Sequence, residues 1–574
     1  MSGILGLMDI AKRSMAASQL GVEVTSNNIS NVNTPGYSRQ IVNFETSTAL
    51  PSPYGPLGYG VHVLGIERAF DPFVAARLTE NTAMLSEYQT RKTYLDQVSG
   101  YFNETLDGGL NELLSGFWDA WHDVADNPSG TGERQALLSQ AQTLADAFNY
   151  RADQLVQGRN TLTQQLSPII DEINSHATRI AELNRDIQAV ETPEHQANDL
   201  RDQRQTEINA LAELVGVRYY TTGDGTINVT LANGLPLVQS MDAWELEYTI
   251  DASDKVQVNW LGPNGTTEDV TSAITGGKLS ALIEVRDTQI VQFQQDLDKL
   301  AQEFVAAVNS QHSQGVGLEL LSQATSTYVL DATHVGDPLV GNAGLPFGGL
   351  ITGGTLNLHV EDASGSSVTD TFTVDGATTL QDLADWLNSQ ANLTASVSSG
   401  QLTITADAGY GFGFSQDTSN VLMGVGLNTF FTGGNAYGMG VNQALTNNYN
   451  LIAAGRIDQV DATTITYSPG DNRNALDLAD LADQVVAGLG ALTFSEAYRD
   501  LVTDIGLEAE DAGNKQDFYQ SMVDQYSQLR DAVSGVSLDE ELTNLIKFQR
   551  AYQAAAQVIS AADEMLQALL SIKK

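Results

Sequence analysis

A helix gives way to a turn in the run NNISNVNTPGYSR, which spans residues 27–39. Asparagine side chains compete with the backbone for hydrogen bonds, which disfavours helix interiors and favours turns. Pro35 pushes Thr34 out of the α region, and Gly36 supplies the backbone freedom of a tight turn. We expect this Asn-rich turn to fix the direction in which the chain leaves the helix. The residues predicted to form it are Asn28, Asn31, Asn33, Pro35, Gly36 and Tyr37.

Outward from this turn, both ends of the chain carry coiled-coil patterns. The segment before the turn has apolar or small residues in alternating steps of four and three, at Ile4, Met8, Ala11, Met15, Ser18 and Val22. In the last segment one residue in every seven is apolar, at Leu538, Leu545, Tyr552, Ile559 and Leu566, and Leu542 widens this stripe. A single stripe usually faces the core of its own domain. An apolar stripe at each terminus favours a pair of terminal helices that pack against each other.

The predicted assembly interface lies on these two helices. It consists of Ile4, Met8, Met15 and Val22 on the first helix and of Leu538, Leu542, Leu545, Tyr552, Ile559 and Leu566 on the last.

The 574 residues carry a net charge of −43, which is unevenly distributed. Residues 1–45 hold three acidic and three basic side chains, and residues 537–574 hold five acidic and four basic ones, so residues 46–536 carry −42. So acidic a chain is unsuited to neutralising phosphate groups, which argues against nucleic acid and anionic lipid as partners. Near-neutral ends suit helices that crowd against copies of themselves, although a solvated acidic middle alone would give the same distribution.

Between the two ends, helical and β-rich stretches alternate. Residues 73–214 are rich in Ala, Gln, Leu and charged residues, which predicts long helices. Residues 216–275 and 318–470 hold short alternating runs with Gly and Asn turns, which predict antiparallel strands. One hairpin is predicted at 393–406, turning at Ser398-Ser399-Gly400.

These patterns predict an α+β multidomain protein, in which a terminal α-helical coiled coil accompanies a long helical-bundle body with inserted antiparallel β domains. The predicted segments are an axial helix with its turn (1–45), the first part of the helical body (46–215), a small β insert (216–277), a return helix of the body (278–317), an outer β-rich domain (318–470), the C-terminal part of the body (471–536) and the last axial helix (537–574).

The sequence contains no motif of a catalytic or metal site. It lacks cysteine, and its seven histidines are scattered without the spacing of zinc ligands. Neither a Gly-x-Ser-x-Gly turn nor a phosphate-binding loop occurs. We therefore predict a protein that is not an enzyme, with no catalytic residues, no cofactor and no metal. A carboxylate pair for glycoside hydrolysis stays open, because the separation it requires is spatial.

The Asn-rich turn resembles the N-terminal signature of the bacterial flagellar axial proteins, a family that includes rod, hook and hook-associated proteins. Ser30 stands where this family often has Ala. Residues 544–559, NLIKFQRAYQAAAQVI, are similar to the C-terminal helix of the family. Residues 60–68 and the segments at 426–433 and 470–474 are similar to hook-associated members in particular. Residues 318–425 have the weakest similarity to the family.

The resemblance implies a structural protein at the junction between the flagellar hook and filament, exported unfolded through the flagellar type III channel to a location outside the cell. Its implied partners are further copies in a ring, the hook protein, the next junction protein (hook-associated protein 3) and a cytosolic export chaperone at the C-terminal region. Neither nucleic acid nor membrane insertion is expected. The terminal helices would pack as an inner tube, and in the free monomer they are expected to be disordered.

Other interpretations of the sequence stay open. The chain could be the hook protein or another axial structural protein, although hook protein is expected to have a β-dominated middle without the long helices of 73–214. From different classes, a secreted wall hydrolase or an adhesin could carry axial-protein ends. Either activity would reside in the outer β-rich domain.

Overall fold

A computed structural model describes residues 2–49, 55, 58–104, 108–192, 195–461 and 463–572. Its contacts divide the chain into two compact units, each assembled from separate stretches of sequence. Unit 1 consists of Met1–Tyr94, Leu162–Asp287 and Glu510–Lys574, and unit 2 of Leu95–Thr161 and Thr288–Ala509. The division into seven segments predicted from the sequence stays a prediction.

The helices of the described residues differ widely in length. In chain order they are α1 Ser2–Ser30, α2 Pro72–Tyr101, α3 Leu110–Asp126, α4 Thr131–Val190, α5 Asn198–Leu214, α6 Gly277–Glu284, α7 Ile290–His312, α8 Leu380–Ser389, α9 Val421–Val425, α10 Gln443–Asn447, α11 Arg473–Ala479, α12 Phe494–Ser534 and α13 Leu538–Ile572. A π-helical turn, Val285–Gln289, joins α6 to α7.

The strands are short and pair antiparallel. In chain order they are β1 Gln40–Thr46, β2 Val61–Arg68, β3 Arg218–Thr221, β4 Ile227–Thr230, β5 Pro236–Gln239, β6 Asp242–Ala243, β7 Glu245–Ile250, β8 Val256–Leu261, β9 Thr267–Asp269, β10 Gln323–Thr325, β11 Gly354–Asp362, β12 Ser367–Val374, β13 Leu393–Ser398, β14 Gln401–Ala406, β15 Tyr410–Ser415, β16 Phe431–Thr432, β17 Gly440–Val441, β18 Asp458–Asp461 and β19 Thr464–Thr466.

Unit 1 holds three of these sheets. The β1–β2 hairpin follows the Asn-rich turn, and residues 218–269 form one sheet in the order β3-β4-β5-β6 and another in the order β7-β8-β9. Tyr219 of β3 is largely buried, whereas Tyr220 points outward, as the alternation of a strand requires. The terminal helices α1 and α13 belong to this unit and pack against each other.

Unit 2 has a core of aromatic side chains drawn from distant parts of the sequence. Phe117 and Trp121 on α3 meet Phe304 on α7 and Phe430 in the loop after α9, and all four are completely buried. The ring centroids of Phe117 and Phe304 are 5.4 Å apart, as are those of Trp121 and Phe430. Tilted and edge-to-face rings at such distances add to the gain from burial alone.

A buried histidine, His312, closes the last turn of α7 beside this core. Its Nδ1 lies 2.8 Å from the Asn428 carbonyl oxygen, and its Nε2 accepts the Ala453 N–H at 3.0 Å. Complete burial lowers the pKa of His312 to about 4, and the nearby positive charge of Arg134 adds to this effect. The ring is therefore neutral at pH 7, with Nδ1 as the donor and Nε2 as the acceptor.

The α+β multidomain fold predicted from the sequence is confirmed. The hairpin predicted at 393–406 is confirmed residue by residue, because Ser398 pairs with Gln401 across a two-residue turn. Ser399 and Gly400 both have positive φ, as such a turn requires. None of the helices in the described ranges is both long and apolar enough to cross a membrane.

Candidate functional site

The candidate site is the terminal helix pair, α1 and α13, together with the Asn-rich turn that follows α1. Small residues form the buried seam of α1, at Ala11, Ser18, Gly21, Thr25 and Asn28. The fully buried residues of α13 also include small ones, Ala555 and Ala562. Small side chains let the two helices approach closely, so most of their larger apolar residues lie beside the seam rather than in it.

The two helices approach closely at Gly21. A β-carbon added to this residue would lie 2.7 Å from the ring of Phe548 on α13, well inside van der Waals contact. The same ring also faces Phe44 of β1, with a centroid separation of 6.1 Å. Phe548 therefore occupies a slot that exists because residue 21 has no side chain.

The predicted interface residues lie around this seam with different degrees of burial. Seven are half-buried: Ile4, Met8, Met15, Val22, Leu545, Ile559 and Leu566. Three are exposed: Leu538, Leu542 and Tyr552. Met8 and Ile559 line the same groove between the two helices. The heptad pattern thus lies on the two helices that pair, and its small members Ala11 and Ser18 are buried, whereas its large apolar residues are half-buried or exposed. A role of these ten residues in assembly stays a prediction.

The terminal helix pair exposes a large amount of apolar side chain. Beside the three exposed interface residues, those on its surface are Leu5, Leu7, Ile546, Val558, Met565, Leu569 and Leu570. We call these ten residues the apolar flanks. So many large exposed apolar groups on one helix pair are typical of surfaces that pack against another protein.

The Asn-rich turn is closed by its own backbone and side chains. The Asn31 amide group donates to the Asn27 carbonyl oxygen at 3.0 Å, and the Thr34 N–H donates to the Asn31 carbonyl oxygen at 2.9 Å. Gly36 has a φ of +78°, and a β-carbon there would lie 2.7 Å from Thr206 Oγ1 on α5. This glycine is thus required both for the turn and for its contact with α5. The side chains of Asn33 and Pro35 are exposed.

Asn28 is the centre of a buried hydrogen-bond network at the end of α1. Its amide donates to the Gln40 carbonyl oxygen at 2.9 Å and to Glu541 Oε2 on α13 at 3.0 Å. Its carbonyl oxygen accepts the Gln40 N–H at 2.9 Å and the Tyr37 hydroxyl at 2.7 Å. This residue therefore joins α1, the turn, strand β1 and α13, and it uses both donors and both acceptor positions of its side chain.

Two carboxylates complete the network. Asp202 on α5 accepts the Ser38 N–H at 2.8 Å and forms an ion pair with Arg68 at 2.9 Å. Glu541 on α13 accepts from Arg39 Nε at 2.8 Å. The Arg39 N–H donates to the Ser534 carbonyl oxygen, at the C-terminal end of α12. The turn is thereby joined to α5 on one side and to α12 and α13 on the other.

The phenol of Tyr37 remains neutral within this network. Burial raises its pKa, and the negative charges of Asp199, Asp202 and Glu541 raise it further. Because the hydroxyl keeps its proton over the physiological range, it can donate to Asn28 throughout that range. The network is therefore a structural joint rather than a proton-transfer site.

The residues of this site that are absent from the sequence prediction include Gly21, Asp202 and Glu541. Glu541 carried a readable signal, because it lies seven residues before Phe548 in the seam, where an acid needs a buried partner. Gly21 follows Ala11 and Ser18 on the same stripe of small residues, but the predicted pattern continues from Ser18 to Val22 instead. Asp202 carried no local signal, since its partner Ser38 is 164 positions away.

The described residues include no group of His, Asp and Glu side chains that could hold a metal ion. A groove with a volume of about 630 Å³ borders the Asn-rich turn in unit 1. It is lined by the turn, the start of α2, α5 and the α12–α13 connection.

Three family models match the chain. The model described as the flagellar hook-associated protein FlgK helical domain matches residues 95–324. The model of flagella basal body rod proteins matches residues 8–37, which cover α1 and most of the Asn-rich turn. The model described as the flagellar basal body rod FlgEFG protein C-terminal matches residues 530–572, which cover α13. The outer two matches thus coincide with the terminal helix pair.

Full-length relatives agree with these models. Flagellar hook-associated protein 1 of Escherichia coli (strain K12) is 27% identical over 99% of this chain and 100% of its own length. The protein of that name from Salmonella typhimurium is 28% identical over the same shares, and that from Bacillus subtilis is 24% identical over 99% of this chain and 98% of its own.

A solved structure shares the fold. It is titled as the flagellar hook junction protein FlgK from Burkholderia pseudomallei, and it matches 80% of this chain and 100% of its own with a TM-score of 0.54 and 19% identity. The paired terminal helices and the matches to them define an axial protein of the bacterial flagellum. Within that class, the chain is similar over almost its full length to flagellar hook-associated protein 1 of several bacteria, and residues 95–324 match the FlgK helical domain.

Proposed function

We propose that this protein forms a ring at the junction between the flagellar hook and the filament, assembled through its terminal helices. The observation that carries this proposal is the set of large apolar side chains left exposed on the apolar flanks. These side chains are already about half covered, so burying the rest of each would gain on the order of 1 kcal/mol, and neighbouring copies that bury all of the flanks would be held strongly. The name of the Burkholderia pseudomallei structure, a hook junction protein, supports the location.

The partners follow from that position. On the side of the hook the ring contacts hook protein, and on the side of the filament it receives the next junction protein, hook-associated protein 3. Before assembly the chain is exported unfolded through the type III channel, and a cytosolic chaperone covers the C-terminal region, where Leu569 and Leu570 would otherwise be exposed. The protein acts by packing and has no catalytic step.

The direct test is the position of the protein on intact flagella. An epitope placed in the outer β-rich domain and detected by gold-labelled antibody should mark a single band between hook and filament. Label along the whole hook would instead support a hook-type role, and label on the cell wall would support the hydrolase reading. Either of these two results overturns the proposal.

A variant tests whether the apolar flanks perform the assembly. Leu542 is 47% exposed in the single chain, so Leu542→Asp should leave the fold intact and abolish incorporation into the junction, because a carboxylate cannot be buried against an apolar neighbour. Tyr437→Asp is the matched control, since Tyr437 is 59% exposed and lies in unit 2, outside the terminal helices. Normal junctions in Leu542→Asp would contradict the assigned role.

Assembly of the purified protein distinguishes a junction protein from a hook protein. A junction protein should bind to the ends of isolated hooks and form no long tubes alone, whereas a hook protein should polymerise by itself. Electron microscopy of the protein with and without isolated hooks distinguishes the two. Long tubes of the protein alone would contradict the proposal.

A further inference from the structure

Two Asp–Pro peptide bonds occur in the sequence, Asp71–Pro72 and Asp337–Pro338. An Asp–Pro bond is the type of peptide bond that mild acid breaks most readily. The carboxylate can attack its own carbonyl carbon through a five-membered ring, and the proline nitrogen, which belongs to a tertiary amide, leaves readily once it is protonated. The surroundings of each bond decide how far this reaction can proceed.

The Asp71–Pro72 bond is protected by the start of α2. The Asp71 side chain caps this helix, because its Oδ1 accepts the Phe73 N–H at 2.9 Å and the Val74 N–H at 3.3 Å. Its carbonyl oxygen accepts the Ala75 N–H at 3.0 Å. Attack on this bond therefore requires the cap and the first turn of the helix to open, which costs free energy.

The Asp337 side chain forms no such cap. In the described part of the chain no donor is bonded to its carboxylate, and both Asp337 and Pro338 are exposed to water. The backbone is held on both sides of the bond. The Asp337 N–H donates to the His334 carbonyl oxygen at 3.0 Å, and the Leu339 N–H donates to the Thr378 carbonyl oxygen at 2.7 Å. The nucleophile is thus free, while the bond that it can attack is fixed in place.

A buried amide faces the carbonyl group of this bond. Asn342 is 4% exposed, and its Nδ2 lies 3.5 Å from the Asp337 carbonyl oxygen and 3.3 Å from the His334 carbonyl oxygen. Its Oδ1 accepts the Gly344 N–H at 2.9 Å, which fixes the orientation of the amide group. The contact with Asp337 is long in the resting chain, and it strengthens as the carbonyl oxygen gains negative charge during attack.

We propose that the protein cleaves its own chain at Asp337–Pro338 in mild acid. A carboxylate oxygen of Asp337 attacks the Asp337 carbonyl carbon, the bond from that carbon to the Pro338 nitrogen breaks, and the nitrogen takes a proton from the solvent. The new C-terminus is then a cyclic anhydride, which a water molecule opens to a free α-carboxylate and the restored side chain. The Asn342 amide stabilises the oxyanion formed during attack. Overall, the reaction consumes one water molecule and transfers no electrons.

The other carboxylates at this place are already engaged. Asp331 pairs with His334 at 2.9 Å in the same loop. Pro338 forms a bridge to Thr379, directly before α8. On that side Asp375 and Asp382 each accept a backbone N–H, at 2.9 Å and 2.8 Å respectively. Of these four carboxylates, Asp337 is the one that can attack without first giving up a partner.

The two pieces, residues 1–337 and 338–574, should stay together after the cut. The Leu330 N–H of the first piece donates to the Gly400 carbonyl oxygen of the second at 3.0 Å, and β10 pairs with β14. In the aromatic core, the rings of Phe304 and Phe431 have a centroid separation of 5.6 Å. Cleavage should therefore be detected only after the protein is denatured.

Incubation of the purified full chain at pH 5.5 tests the proposal. Denaturing electrophoresis and mass spectrometry identify the ends produced, and circular dichroism checks that the chain stays folded. Cleavage at Asp337–Pro338 should be at least about tenfold faster than at Asp71–Pro72, because the cap of α2 protects the latter. In urea at the same pH the cap and the Asn342 contact are lost, so the two bonds should be cleaved at similar rates.

Variants show whether the chain cuts itself. Asp337→Glu keeps the charge but requires a six-membered ring, and Pro338→Ala replaces the tertiary amide by a secondary one. Both changes lie at exposed positions and should abolish cleavage in a folded chain. Asn342→Ala should slow cleavage at Asp337–Pro338 by about tenfold and leave that at Asp71–Pro72 unchanged.

Three results would overturn the proposal. The first is an intact Asp337–Pro338 bond in the folded chain at the time when the urea sample is measurably cut. The second is equal cleavage of the two bonds in the folded chain, and the third is unchanged cleavage in Asp337→Glu, which would indicate a contaminating protease. An unchanged rate in folded Asn342→Ala would overturn the role of this amide.

Two further provisions keep the test decisive. If Asn342→Ala does not fold, the variants at the two exposed positions and the comparison with urea decide. If the chain unfolds at pH 5.5, the same comparison at pH 6.5 decides. None of these measurements involves hooks, so the self-cleavage and the junction function can fail independently.

Discussion

The aromatic core of unit 2 and the terminal helix pair of unit 1 bury opposite kinds of side chain. In the core, large rings such as Trp121 and Phe304 are completely enclosed by residues of the same chain. In the helix pair, small residues such as Ala562 are enclosed, while Leu538 and Leu570 remain exposed. The core is therefore complete within one subunit, and the helix pair is not.

Under the proposed function, this difference separates the stability that resides in the free subunit from the stability that assembly would add. The free energy gained from burial scales with the apolar area removed from water. Because the core is fully buried within one chain, a single chain already has all of this gain. In the helix pair, mainly the small residues of the seam and the hydrogen-bond network of Asn28 stabilise the pairing within one chain. Four measurements test this contrast, and they are ordered by expected size.

The largest effect is expected in the core. Trp121→Ala should lower the free energy of unfolding of unit 2 by about 3–5 kcal/mol, because it opens a cavity among rigid rings. Chemical denaturation followed by circular dichroism measures this loss. Tyr437→Ala, at a 59% exposed position of the same unit, should stay within about 0.5 kcal/mol. A loss below about 1 kcal/mol for Trp121→Ala would show that the core is not tightly packed.

Acid should weaken the core through its histidines. The pKa values of His312 and His359 are both lowered to about 4 in the folded chain, chiefly by burial, against an ordinary value of 6.5. Between pH 6.5 and 4 the unfolded chain binds more protons, so the stability of unit 2 falls as the pH falls through this window. For His312 the loss is on the order of 3 kcal/mol.

Denaturation midpoints at pH 7, 6, 5 and 4 measure this loss, and His312→Gln should remove the share that His312 contributes. The helices α1 and α13 contain no histidine, so their hydrogen exchange should show no histidine-linked step. A pH dependence that is unchanged in His312→Gln would contradict the assignment.

A smaller effect is expected at the helix seam. Gly21→Ala should destabilise the pairing of α1 with α13 by about 1–3 kcal/mol, because the new methyl group meets the ring of Phe548. Gly6→Ala is the control on the same helix, since a β-carbon there meets nothing within 4 Å. It should stabilise α1 by about 0.5–1 kcal/mol.

Hydrogen exchange of α13 peptides measures both changes. Combining Gly21→Ala with Phe548→Leu should restore part of the lost protection, because the smaller side chain leaves room for the methyl group. If the two alanine variants behave alike, the close approach at Gly21 has no energetic importance.

The smallest effect is expected on the apolar flanks. Leu542→Ser should change the free energy of unfolding of the free chain by less than about 0.5 kcal/mol, since the side chain is already half in water. The same denaturation experiment measures it. A loss above 1 kcal/mol would show that this flank is buried within the single subunit, which would remove the basis for its role between copies.

Features set by neighbours in sequence were predictable. The hairpin at 393–406 follows from two serines and a glycine between alternating strands, and the helix end at the Asn-rich turn follows from asparagine, proline and glycine chemistry. The long helices of 73–214 follow from their apolar period, and α2 to α5 occupy that stretch. In each case the interactions that decide the structure lie within a few residues of one another.

The centre of the contact between the two helices was harder to predict from the sequence. A heptad search favours large residues, so it selected Leu538 and Tyr552, which are exposed, and passed over Gly21. Which face of a helix is buried depends on how closely its partner approaches, and that distance is a property of both helices together.

The sequence by itself determined the class of fold, the presence of a helix at each end, the Asn-rich turn and the near-neutral charge of both termini, because composition and periodicity act locally. The tertiary structure decided which residues hold these parts together. Glu541 meets Asn28 across 513 positions and Asp202 meets Ser38 across 164. A buried carboxylate is tolerated only where folding brings donors to it, and no local pattern specifies that meeting.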